Sequence, residues 1–230
     1  VAEYSLASGN IFTVRYTLLE GGILSVESDF KGVKSSKPVD VPRIGFRMRL
    51  PASADSFTYL GRGPEENYAD RFGGTLIGEY SSSASKEYVR YVRPQECGHH
   101  IDCEYLSIGG LAIRSDRFEF NALRCAVEDL DSEEAVQRDY QWENKGPLTE
   151  NDPAKAKNHL RRQTHINDYV ERDFVEVCVD YAQSGVGGYD SWGSRPDGDR
   201  CLWSDRDYSF RFAIVPARAM GVRKSLGFDF

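Results

Sequence analysis

Three clusters of polar and aromatic residues interrupt an otherwise regular sequence, and each has the residue types for a different chemistry. The first is Gly185-Val186-Gly187-Gly188-Tyr189-Asp190-Ser191-Trp192-Gly193. Glycines allow a backbone path with positive φ, so such a loop turns tightly and projects a large side chain. An indole face stacks on the C–H-rich face of a pyranose, and Asp190 and Ser191 can hydrogen-bond its hydroxyls. The competing reading is that Trp192 caps a core, as tryptophans usually do. The second cluster, Tyr59 to Arg71 (YLGRGPEENYADR), gathers Glu65, Glu66 and Asp70 with Arg62, Asn67 and Arg71. A glycosidase needs two carboxyl groups roughly 5–9 Å apart, one as acid and one as nucleophile or base. Adjacent Glu65 and Glu66 point apart and make a poor pair. The structural alternative is that Asp70 and Arg71 form an ion pair and Asn67 bonds loop backbone. The third cluster, Tyr91 to His100 (YVRPQECGHH), offers Glu96 with His99 or His100 as an acid/base pair for sugar ring opening.

Metal and nucleotide chemistry find little support. Neighbouring His99 and His100 point to opposite faces if they lie on a strand. Asp197, Asp199, Asp205 and Asp207 lack the spacing of a calcium loop. No nucleophile elbow, phosphate loop or dinucleotide fingerprint is present. The expectation is no metal ligand set and no cofactor in this chain.

The elements that must position these clusters are strands. Arg43 to Leu50 reads RIGFRMRL, with Ile44, Phe46, Met48 and Leu50 on one face and Arg47 and Arg49 on the other. Phe12–Leu18 and Ile23–Phe30 flank Gly21-Gly22, and Tyr105–Ile108 and Leu111–Arg114 flank Gly109-Gly110, both as hairpins. Further strands are expected at Tyr88–Arg93, Phe118–Asn121, Phe174–Tyr181 and Tyr208–Val215. Strands joined by glycine turns without alternating helices indicate an all-β, antiparallel sandwich. The polar stretch 128–171 breaks the rhythm. Asp131 before Ser132–Gln137 and Asp152-Pro153 before Ala154–Arg162 are helix starts, so this stretch reads as a solvated, partly helical excursion within one domain over residues 1–230.

The 230 residues, 40% hydrophobic and 12% aromatic, suffice for a packed core, and a net charge of −7 argues against nucleic acid as a partner. No apolar run reaches membrane-spanning length. Five cysteines without CxxC spacing fit neither a disulfide framework nor a zinc site, and Cys178, in an apolar strand, reads as a small buried hydrophobe. Cytoplasm and periplasm both remain open. The start at Val1, directly in strand-like sequence, reads as that of a fragment.

Taken in order, PRIGFRMRLP, YLGRGPEENYADR, YVRPQECGHHID and GVGGYDSWG resemble the C-terminal domain of the glycoside hydrolase family 2 β-galactosidases, from about Pro42 to Val215. The resemblance implies a large sandwich of the supersandwich type, similar in fold to galactose mutarotase and shortened here on its N-terminal side. It implies a domain without the catalytic glutamates, which in that family lie in a TIM barrel earlier in the polypeptide. It further implies that Trp192, with Asp190 and Ser191 shaping its loop, completes a galactoside pocket. The implied partners are the rest of the enzyme, a galactoside such as lactose, and further subunits; the implied ions of the parent are magnesium and sodium. Two positions depart from the family pattern: Tyr189 replaces an aspartate of GGDDSW, and Cys97 replaces an asparagine. The rival functions are an aldose 1-epimerase using Glu96 with His99 or His100, and a stand-alone galactoside-binding module. A shortened sandwich is also expected to expose a sheet edge or an apolar face.

Overall fold

The computed structural model describes residues 1–92, 95–130, 169–190 and 192–216. Among the described residues ten strands follow one another: β1 (Ala2–Ser5), β2 (Ile11–Leu18), β3 (Leu24–Lys31), β4 (Arg43–Pro51), β5 (Ser56–Gly63), β6 (Leu76–Ser83), β7 (His99–Ile108), β8 (Leu111–Leu123), β9 (Phe174–Gln183) and β10 (Tyr208–Pro216). Every pairing is antiparallel. The main path runs β1-β2-β3-β10-β8-β7-β5-β6, while β9 joins β8 and carries β4 on its far side.

The long strand β8 makes this one sheet into two layers. Its first half, from Leu111 to Arg114, pairs with β10, and its second half, from Glu119 to Leu123, pairs with β9. Between the halves the register against β7 shifts, Asp102 adopts a φ of 56°, and the Ser115 hydroxyl donates to the Arg211 carbonyl at 2.7 Å. Such irregularities bend a strand pair. They turn β9 and β4 over the face of β10, β3 and β2. Val175, Val177 and Val179 of β9 then pack in one core with Val14, Val26, Phe210 and Phe212. Phe46 of β4 meets Phe212 at 5.2 Å and Phe12 at 5.9 Å between ring centroids. The chain is an all-β sandwich.

The expected alternation of β4 holds, with Ile44, Phe46, Met48 and Leu50 turned toward buried clusters. Both glycine hairpins form, and Gly21, Gly22, Gly109 and Gly110 all take positive φ. Cys178 is buried in β9, its thiol pushed up to about 12 by that burial, as a small apolar side chain should be.

Two strand expectations need correction. Tyr88–Val92 is not a strand, and Arg93 lies outside the described residues. The Tyr91 amide donates back to Val89, which no sheet ladder permits, while Tyr88 packs against Cys97, Leu123 and Cys125. Phe118–Asn121 is the second half of β8 and not a strand of its own. β6 escaped notice because its LIGEYSSS sequence buries neither face fully. The helices expected at 132–137 and 154–162 lie outside the described residues.

Among the described strands β1, β4 and β6 each pair on one side only, and Tyr4, Tyr16 and Leu18 are exposed. No helix among the described residues is long and apolar enough to cross a membrane.

Candidate functional site

The glycine-rich loop leaves the end of β9 and is fastened from outside itself. The Gly185 amide donates to the Arg200 carbonyl at 2.8 Å, and the Gly188 amide to that of Ser194 at 2.9 Å. Gly187, at φ +66°, lies so close to the Ser194 carbonyl that a Cβ would collide with it. The main anchor is Asp70, in the turn after β5. Its carboxylate accepts the Val186 amide at 3.1 Å, the Gly187 amide at 2.8 Å and the Tyr189 hydroxyl at 3.3 Å. A side chain at Gly185 would run into the same carboxylate, 2.6 Å from the Asp70 Cγ. Asp70 therefore holds this loop and is not paired with Arg71 as the sequence suggested. Sequence reasoning missed this role because 117 residues separate Asp70 from Gly187.

Asp190 shapes the tip. One oxygen of its side chain accepts the Trp192 amide at 2.8 Å and the Ser194 amide at 3.2 Å, an Asx turn closed by Gly193 at φ +81°. Ser191 lies outside the described residues. Trp192 is 93% exposed, which removes the reading that it caps the core.

The carboxylates of the second cluster have different fates. Glu65 is exposed, whereas Glu66 turns inward, so the two diverge as expected for neighbours. Glu66 is a structural hub: it accepts from Arg71 at 2.5 Å, from the Tyr91 hydroxyl, from the Tyr68 hydroxyl at 3.2 Å and from the Gly98 amide at 2.8 Å. All its oxygens are engaged, and it ties the second cluster to the third. Asn67, fully buried, donates to the Arg62 and Glu65 carbonyls and accepts the Ile101 amide at 2.8 Å. Arg62 bonds Asp102 at 2.9 Å and lies over the Phe72 ring. These four residues build the corner from which Asp70 reaches the loop.

His99 and His100 lie at the start of β7, both fully buried. His100 is held through both nitrogens, by Glu87 at 2.9 Å on one side and by the Tyr59 hydroxyl and the Arg62 carbonyl, each at 3.1 Å, on the other. His99 stacks on Tyr68 and meets Glu119 at 2.9 Å. Burial, helped by the nearby Arg43 guanidinium, lowers His99 to about 4, and burial raises Glu119 to about 7. The imidazole is neutral at physiological pH. Glu96 lies 3.7 Å from Arg43, which also bonds Asp180 and Asn121. The third cluster thus brings Glu96 and His99 to one place and excludes His100 from it.

A family model described as "Beta galactosidase small chain" matches residues 1–214. The chain belongs to the β-galactosidase small-chain family. Among curated relatives it is 29% identical over 209 residues to a β-galactosidase of Priestia megaterium (strain DSM 319 / IMG 1521). It is 26% identical over 217 residues to one of Actinobacillus pleuropneumoniae, and 30% identical over 201 residues to one of Pseudoalteromonas haloplanktis. These matches cover 88%, 93% and 87% of the chain but only 17%, 18% and 16% of the respective relatives. The small-chain fold is therefore one part of much larger polypeptides in those relatives.

The two departures from the family motifs acquire physical accounts in this small-chain domain. Tyr189 spends its hydroxyl on Asp70, the same carboxylate that fastens the loop. Cys97 is fully buried against Tyr88, Leu123 and Cys125, and the Val89 backbone hydrogen-bonds its sulfur. No three His, Cys, Asp or Glu side chains among the described residues converge to hold a metal ion.

Proposed function

We propose that this chain is a domain of a β-galactosidase, and that its contribution to hydrolysis of β-D-galactosides such as lactose is a wall of the substrate pocket. The catalytic carboxylates, working by the retaining two-carboxylate scheme, come from elsewhere in the polypeptide. The observation that carries this reading is Trp192: a large aromatic, 93% exposed, on a loop whose backbone is fixed at both ends. An exposed indole on a held loop is costly in solution and useful against a sugar face, because little ordering entropy remains to be lost on binding. The divergence of Glu65 and Glu66, and the saturation of Glu66 by hydrogen bonds, support the absence of a hydrolytic pair at this corner.

The test is Trp192→Ala in the full-length enzyme. One aromatic stacking contact is worth about 1 kcal/mol, so KM for lactose should rise about five- to tenfold. Because the indole would touch substrate away from the bond being broken, kcat should change much less. Unchanged KM and kcat would sink the proposal.

A further inference from the structure

Charged side chains stand on the solvent faces of β3 and β4: Glu27, Asp29 and Lys31 on the first, Arg47 and Arg49 on the second. One patch of the surface differs. Where β6, β5 and β7 lie side by side, the register sets Ser83 beside Ser56, and Ser81, Thr58 and Ser107 in a row. Phe57, Tyr59, Leu106 and Ile108 alternate with them and fill the core, so these hydroxyls face outward. None of the hydroxyls has a hydrogen-bond partner among the described residues.

These hydroxyls floor an open cleft of about 630 Å³, whose lining includes two held turns. The first follows β6. There the Ala84 amide donates to the Asp55 carbonyl at 2.9 Å, and the Ser85 amide and hydroxyl donate to the Asp55 carboxylate at 3.0 and 2.8 Å. Lys86, exposed, adds its ammonium at this turn. The second is the Gly109-Gly110 turn, packed so closely on Ala54 that a Cβ on Gly109 would come within 2.9 Å of the alanine Cβ. With strands below and both turns fixed, little ordering entropy remains to be lost on binding.

The lining selects by chemistry. A serine or threonine hydroxyl donates one hydrogen bond and accepts others, so it pairs with another hydroxyl in either direction. An apolar ligand would strip water from these groups and leave them unpaired. An anion would meet Asp55 as well as the Lys86 ammonium. A metal ion would find only the Asp55 carboxylate in the lining, with one oxygen already accepting from Ser85. Sugar hydroxyls match every position of the floor. Neighbouring strands stand about 4.8 Å apart, so the row from Ser81 through Thr58 to Ser107 spans about 10 Å, room for two hexose units end to end.

We propose that this cleft binds a neutral saccharide segment about two hexose units long, laid across β6, β5 and β7. The site uses no residue of the Trp192 loop and does not depend on the pocket-wall reading.

Cellobiose, a neutral disaccharide without a galactosyl group, is the probe. Equilibrium dialysis of labelled cellobiose against the full-length protein should report binding, and crystals grown with the sugar should show it over Thr58. Thr58→Val keeps the shape of an exposed strand residue while removing the central hydroxyl, and should weaken binding about fivefold. Ser107→Ala, one strand away, should weaken it by a similar factor. Both variants should hydrolyse lactose as the unaltered enzyme does, because neither position touches the Trp192 loop. Trp192→Ala should leave cellobiose binding unchanged, which separates failure here from failure of the pocket-wall reading. Excess inorganic sulfate should not displace the sugar. No uptake in dialysis, or binding at crystal concentration only, would overturn the proposal. So would displacement by sulfate, binding indifferent to both hydroxyl deletions, or binding lost with Trp192.

Discussion

Replacing Asp70 by alanine is expected to raise the KM of the full-length enzyme for galactosides about as far as removal of the Trp192 indole does. Asp70 touches no part of Trp192 itself. It accepts two backbone amides and one hydroxyl from the stretch between Val186 and Tyr189, and so sets where the tip of the loop stands. Hydrogen bonds to an ionised carboxylate are worth about 1.5–3 kcal/mol each when shielded. Here the loop is largely exposed, and water replaces much of each lost bond, so a net loss of about 1–2 kcal/mol in loop order is expected. That corresponds to about a tenfold rise in KM. Because Asp70 acts through Trp192, the Asp70→Ala and Trp192→Ala effects should not add: the double variant should be no worse than Trp192→Ala alone. Asp70→Asn, which keeps one acceptor oxygen, should recover part of the loss. Additive effects would show that Asp70 acts on something other than this loop.

The largest stability effect should come from Arg43→Met. Asp180 is 2% exposed, and its buried carboxylate is bonded by the Arg43 guanidinium. Burial raises the Asp180 pKa even beside that cation, so the carboxylate depends on its partner to remain ionised. Removing the guanidinium leaves an uncompensated buried charge, at a cost of about 3–5 kcal/mol. Asp180 also abuts Gly45 at the β4–β9 bulge, where a Cβ on Gly45 would come within 2.6 Å of the Asp180 Cα, so the strand pair has little room to relax. Urea denaturation should report this loss. A second change, Asp180→Asn, should recover more than half of it, because the stranded charge is then gone. A loss below about 1 kcal/mol for Arg43→Met would mean that water already screens the pair.

The two effects differ in how far the sequence could announce them. β4 was readable because Ile44, Phe46, Met48 and Leu50 alternate with exposed or half-buried neighbours, and alternation is a local signal. Gly45 looked like one more small residue in that strand; that Asp180 lies against it depends on register with β9, 135 positions on, and register leaves no local trace. Trp192 is the converse case. Local sequence favours burial for tryptophan, and only the order of four motifs suggested a rim. Its 93% exposure removes the first reading. Glu66 was weighed only as half of a poor carboxylate pair, yet it is a half-buried hub whose partners Tyr91 and Gly98 lie 25 and 32 residues away. Tyr88–Arg93 was misread because its apolar residues pin a loop and not a sheet, and a period of two does not distinguish these uses over so short a run. Asp70 was read as half of an ion pair because it stands beside an arginine, whereas backbone amides of a distant loop are invisible to spacing.

The pocket-wall role of Trp192 is best tested by a structure of the full-length enzyme with a galactoside bound. The prediction is that the indole face lies in van der Waals contact, about 4 Å, with the sugar or its leaving group, while Asp70 still accepts the Val186 and Gly187 amides. A bound galactoside with Trp192 still facing solvent, away from the ligand, would contradict it.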